Sequence, residues 1–99
     1  MKHSSSRPAV HFGAQVRRAR IALGLSQESI AELARMHVTN YGRIERGIAN
    51  PSLLTMLRIA SALDTDIALL TEGLSRADLP AEFTVHTADE FLRERDRRR

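Results

Sequence analysis

Between Phe12 and Gly73 the sequence is cut repeatedly by helix stops and caps, at Gly24, Ser26, Gly47, Asn50-Pro51-Ser52, Asp64 and Gly73. Glycine readily takes the left-handed conformation that ends a helix, and a serine hydroxyl accepts the unpaired N–H groups that begin the next. Between the marks, apolar residues recur at helical spacing, which predicts an all-α bundle of short helices. The first has its stripe at Phe12, Val16, Ala19 and Leu23 and stops at Gly24. Ser26 is placed to cap a second helix with Ile30, Leu33 and Ala34 on its apolar face and Glu28 in its first turn. Arg35 to His37 then separate it from a third, Val38 to Arg46, which turns Tyr41 and Ile44 inward. From Leu53 to Leu63 apolar residues fall almost all round the helix, so a buried, central fourth helix is expected. A short fifth lies around Asp66 to Leu70.

The ends follow a different pattern. Ser4-Ser5-Ser6 and Pro8 sit in a stretch with too few apolar residues to offset its ordering entropy, so residues 1–11 are expected to form a flexible arm. Residues 12–73 are then the domain and 74–99 an extension. In the extension Phe83 and Val85 alternate with Thr84 and His86, a weak strand signal. Thr87-Ala88-Asp89-Glu90 fits a capping box, and the pairs Asp89/Arg93 and Glu94/Arg98 support a terminal helix with Phe91 and Leu92 to dock. The extension is expected either to contribute a dimerisation strand or helix, or to be a disordered tail.

Ninety-nine residues leave room for one small domain, and a core of this size is marginal alone, so a second copy would help it. With no cysteine there is no disulfide, zinc finger or thiol nucleophile. His3, His11, His37 and His86 lie too far apart for a metal-ligand pair one helical turn apart, so neither metal nor cofactor is expected. No nucleophile–base pair or Gly-rich phosphate loop is present either, which argues against an enzyme. The start lacks an apolar signal core, and the longest later apolar stretches are as short as Ile67-Ala68-Leu69-Leu70, so a cytoplasmic protein with no membrane partner is expected. Charge is uneven: residues 1–47 carry eight basic side chains against three acidic ones, net +5, while residues 48–86 are net −3. A basic half suits a polyanion, because Lys and Arg that neutralise phosphates release condensed counterions.

Two short helices joined by a tight turn, the second ending in Ile44-Glu45-Arg46-Gly47, have the form of a helix-turn-helix, whose second helix enters the DNA major groove. The run from Leu23-Gly24-Leu25-Ser26-Gln27-Glu28 through Ile30-Ala31-Glu32-Leu33-Ala34, Arg43 to Gly47, Asn50 to Leu53 and Ala60 to Leu63 resembles the xenobiotic-response-element family of helix-turn-helix proteins, which includes lambda-repressor and Cro-like domains. The resemblance covers about residues 12–73 and implies a five-helix lambda-repressor-like domain. It places Val38, Thr39, Asn40 and Arg43 as readers of base edges. Arg can fork to guanine, Asn can bridge adenine, and the methyl groups of Val38 and Thr39 can meet a thymine methyl. It also places Gln27 and Arg46 on phosphates, and Arg20 and Glu45 in an ion pair tying the first helix to the recognition helix. Ala31 is small where the second helix passes the third, and His37 stands at the cap of the recognition helix.

This sequence departs from the family at three points. Arg35 holds a turn position usually given to Gly, where a left-handed conformation costs about 1 kcal/mol or more. Gly42 lies inside the recognition helix, and Ile48 and Ala49 replace basic residues, which thins the phosphate clamp. A homodimer on a palindromic double-stranded site is therefore expected, its interface formed by Ile67, Leu69, Leu70, Phe83, Phe91 and Leu92, with Val85 beside them. The leading expectation is a sequence-specific transcriptional regulator acting as a repressor. The alternative is an antitoxin that autoregulates through the same domain and masks a small toxin with Ser75 to Arg99.

Overall fold

The computed structural model describes residues 6–98, and among these every regular element is helical. In chain order they are α1 (Arg7–Leu23), α2 (Gln27–Leu33), α3 (Val38–Glu45), α4 (Leu53–Ala62), α5 (Ile67–Leu70), two 3-10 turns at Arg76–Asp78 and Ala81–Phe83, and α6 (Ala88–Arg97). The caps act as the sequence requires. Ser26 accepts from the Ser29 N–H and Ser52 from the Thr55 N–H, while Gly24 closes α1 with φ 72°. Asp64, at φ 58°, ends α4 in the left-handed region, which an Asp tolerates better than most side chains.

The first five helices enclose one core. Tyr41, Ile30, Ile59 and Val16 are its largest fully buried side chains, joined by Phe12, Ile44, Leu63 and Leu70. Contacts close a ring: α1 packs on α3, α3 on α2, α2 on α4, α4 on α5 and α5 back on α1. Two glycines permit the α1–α3 approach. A Cβ on Gly13 would overlap the Ile44 carbonyl oxygen, and one on Gly47 would stand 2.7 Å from the Val10 Cα. Gly47 also has φ 75°, so it is required both for space and for backbone conformation.

Four expectations need correction. The first helix begins at Arg7, not Phe12, so residues 7–11 of the expected arm are helical; residues 1–5 lie outside the described residues. Ser6 caps it through the Ala9 N–H and Pro8 sits in its first turn, a start signal stronger than the sparse apolar content suggests. The fourth helix buries one face only, through Ile59 and Ala60, while Leu53, Leu54 and Leu57 point outward, as does Leu33 of α2. A five-helix domain this small has no second layer to cover the far side of α4. The strand around Phe83 is absent among the described residues. Pro80 instead leads into the 3-10 turn, since a lone strand with no neighbour leaves its backbone groups unpaired. Finally, Leu70, expected at a dimer interface, belongs to the core of its own chain, and Ile67 packs partly buried against that core.

Candidate nucleic-acid interface

The turn between α2 and α3 sets the angle of the third helix. Ala34 leaves α2 still right-handed, and Arg35 takes φ 60°, the strained left-handed conformation expected of it. The Met36 N–H returns to the Ala31 carbonyl at 3.0 Å. Arg58 of α4 then donates to two carbonyls that the end of α2 leaves open, Nε to Ala34 and Nη2 to Arg35, each at 3.0 Å. The sequence gives no sign of this clamp, because the spacing of Arg58 reveals nothing about a partner 24 residues away. It ties the strained turn to α4.

His37 stands at the start of α3 but its imidazole makes no capping hydrogen bond. Beyond it the helix divides cleanly. Tyr41 and Ile44 enter the core, and Val38, Thr39, Asn40 and Arg43 are exposed. Arg43 reaches forward along the chain, its Nη2 3.4 Å from the Ile48 carbonyl, so its guanidinium lies over the loop that follows the helix.

Below this face lies a polar network. Arg20 of α1 grips Glu45 of α3 with both arms of its guanidinium, Nε to Oε2 at 2.6 Å and Nη2 to Oε1 at 3.1 Å, and its Nη1 donates to the Leu25 carbonyl at 2.8 Å. The ion pair is largely shielded from water, with side-chain exposures of 13% and 1%. Gln27, the first residue of α2, donates its Nε2 to Glu45 Oε1 at 2.9 Å. One carboxylate thus ties α1, α2 and α3 together. Burial alone would push the Glu45 carboxyl up, but the hydrogen bonds from Arg20 and Gln27 and the Arg20 charge outweigh it and hold the group below the ordinary carboxylate value. Tyr41 lies against the same pair. Burial, reinforced by the Glu45 carboxylate against which the hydroxyl lies, pushes its phenol well up, and the hydroxyl has no hydrogen bond of ordinary geometry among the described residues.

Gln27 also meets α3 at Gly42, where an added Cβ would be 3.5 Å from Gln27 Oε1 and 3.2 Å from Arg46 Nη1. The missing side chain at Gly42 thus gives Gln27 and Arg46 room on the same edge of the helix. Arg46 is exposed and shares a shallow groove with Arg17 and Arg18 of α1. Arg17, Arg18 and Arg46 therefore gather beside the end of α3, a grouping across elements that no single stretch of sequence displays. Of the remaining residues expected at an interface, Leu69, Phe83, Phe91 and Leu92 are exposed. No three His, Asp or Glu side chains converge on a metal-sized site among the described residues, and no described helix is long and apolar enough to cross a membrane.

Comparison with known proteins gives a consistent picture. A family model described as helix-turn-helix matches residues 16–70. The control protein C.SmaI of Serratia marcescens is 40% identical over 55 residues, which span 56% of this chain and 66% of that relative's length. Among solved structures, the restriction-modification controller protein C.AhdI from Aeromonas hydrophila is 42% identical, with a TM-score of 0.61 over 63% of this chain and 94% of that one. A helix-turn-helix transcriptional regulator from Vibrio cholerae is 28% identical with the same TM-score, covering 64% of this chain and 35% of that one.

Proposed function

The chain belongs to the helix-turn-helix family, and on that premise we propose that it is a transcriptional regulator that binds double-stranded DNA through α3. One observation carries this reading. The exposed face of α3 presents Val38, Thr39, Asn40 and Arg43 together, on a helix whose orientation is fixed from beneath by the Arg20–Glu45–Gln27 network. Side chains that read base edges need such a rigid base, because a bidentate contact tolerates little misplacement. Arg43 and Asn40 supply the donors and acceptors for purines, and Val38 and Thr39 supply methyl groups.

Arg46, with Arg17 and Arg18 beside it, forms the phosphate contact on one flank. Gln27 forms the other, its second amide hydrogen free while the first is held by Glu45. Phosphate contacts of this kind position the protein and carry no sequence information. The relatives are themselves named control, controller and regulator proteins, which supports regulation as the role, and repression by occupancy of an operator is the form we propose for it. They lend no specific support to the antitoxin alternative.

The regulator acts as a homodimer. Leu53, Leu54 and Leu57 of α4 and Leu69 of α5 are exposed, and two copies meeting there would cover them. Two-fold symmetry would place two α3 helices about 34 Å apart, one turn of DNA. Selection of bound duplexes from random DNA tests this reading: the expected result is an inverted repeat with half-sites about 10 base pairs apart. Recovery of unrelated sequences with no shared half-site would overturn it.

A further inference from the structure

The extension beyond Gly73 carries apolar side chains that its own chain leaves open. Leu79, Phe83, Val85, Phe91 and Leu92 are 40% to 62% exposed. The segment is nevertheless held in a defined shape. Arg7 of α1 approaches Asp78 at 3.8 Å, and Arg76 reaches both the Glu90 carboxylate and the Val85 carbonyl at 3.4 Å. Reciprocal caps close the 3-10 turn at Ser75 and Asp78 and the start of α6 at Thr87 and Glu90. On α6, Ala88, Phe91, Leu92 and Arg95 follow the i, i+3, i+4, i+7 spacing of a single face. Charge along the helix is divided: Asp89 and Glu90 make the first half net −2, whereas residues 93–98 are net +2.

We propose that α6 pairs antiparallel with α6 of a second copy of this chain. Antiparallel pairing lays Phe91 and Leu92 of each copy against the other and sets each acidic half beside a basic half. Parallel pairing would bring like charges together. A two-fold contact of this kind satisfies both copies with one patch, and it opposes the two helix dipoles favourably. The helix spans only about 15 Å, so the pairing buries much less than the roughly 800 Å² per partner of an independent interface. It works as a tethered second contact within the dimer proposed above, on which it rests, because linkage raises the local concentration of the two helices to about millimolar.

Full-length charge variants test the pairing by sedimentation equilibrium. Arg95→Glu with Arg98→Glu makes both halves of α6 acidic, and Asp89→Arg with Asp96→Arg makes the second half strongly basic. Each variant alone is expected to associate about tenfold more weakly than the unaltered chain, and an equimolar mixture to recover to within about threefold of it. A melted helix would not be rescued by mixing, so recovery separates lost complementarity from lost folding. If either variant associates as tightly as the unaltered chain, or the mixture stays weak, a second copy does not cover α6 and the proposal is overturned while the dimer stands. If the unaltered chain remains monomeric at every concentration, the dimer falls and the pairing with it.

Discussion

Glu45 is the residue that ties the helix-turn-helix to α1, since its carboxylate joins three helices. Replacing Arg20 by Ala leaves that carboxylate buried without its cation, and loss of one partner of a buried pair costs about 3 to 5 kcal/mol. The expected outcome is a large fall in the melting midpoint, measured calorimetrically, and an unchanged midpoint would show that the pair does not hold the fold. The same carboxylate gives a pH dependence of defined sign. Its folded-state pKa lies below the ordinary value of 4.5, so its stabilisation is fully present above that pH and is lost as pH falls through the lowered value. Glu45→Gln should therefore flatten the acid limb of the melting curve below about pH 4.5. Tyr41 behaves in the opposite way. Its buried hydroxyl lies against the Glu45 carboxylate without a hydrogen bond of ordinary geometry among the described residues, so Tyr41→Phe should change stability by no more than about 1 kcal/mol in urea unfolding. A loss of more than that would reveal a hydrogen bond to the Glu45 pair.

At the scale of the elements, the caps that begin α2 and α6 and the glycine that ends α3 are legible in sequence because they are local signals. Ser26, Gly47 and the Thr87–Glu90 box act within four residues of where they stand, and the pairs Asp89/Arg93 and Glu94/Arg98 form as their spacing requires, each at 3.0 Å. The departures come from packing that a stripe cannot report. Leu53 and Leu57 look like core residues until the single face α4 buries is known, and Arg58 becomes a clamp only when α2 ends beside it. The recognition helix gives the prediction proper to this scale. Arg43→Ala should weaken the preferred duplex by about 1 to 3 kcal/mol and relax base choice at one position in each half-site, whereas Gln27→Ala should weaken every sequence alike. Mobility shifts with preferred and scrambled duplexes distinguish the two, and equal losses on both duplexes for Arg43→Ala would remove it as a base reader.

For the whole molecule, Arg17 and Arg18 of α1 gather with Arg46 after α3, and in the proposed dimer the exposed apolar residues of α4, α5 and the extension face a second copy. The proposed dimer would double every phosphate contact and so offset the apolar residues Ile48 and Ala49 that follow Gly47. The central claim is that this chain binds duplex DNA specifically as a dimer, and the most direct test is its affinity for the selected site and for a scrambled one as salt is varied. With about 6 to 10 phosphate contacts, affinity for the selected site should fall about a thousandfold or more between 50 and 200 mM salt, while the selected site stays favoured throughout. Affinity that hardly changes over that range, or that is equal for both duplexes, would contradict it.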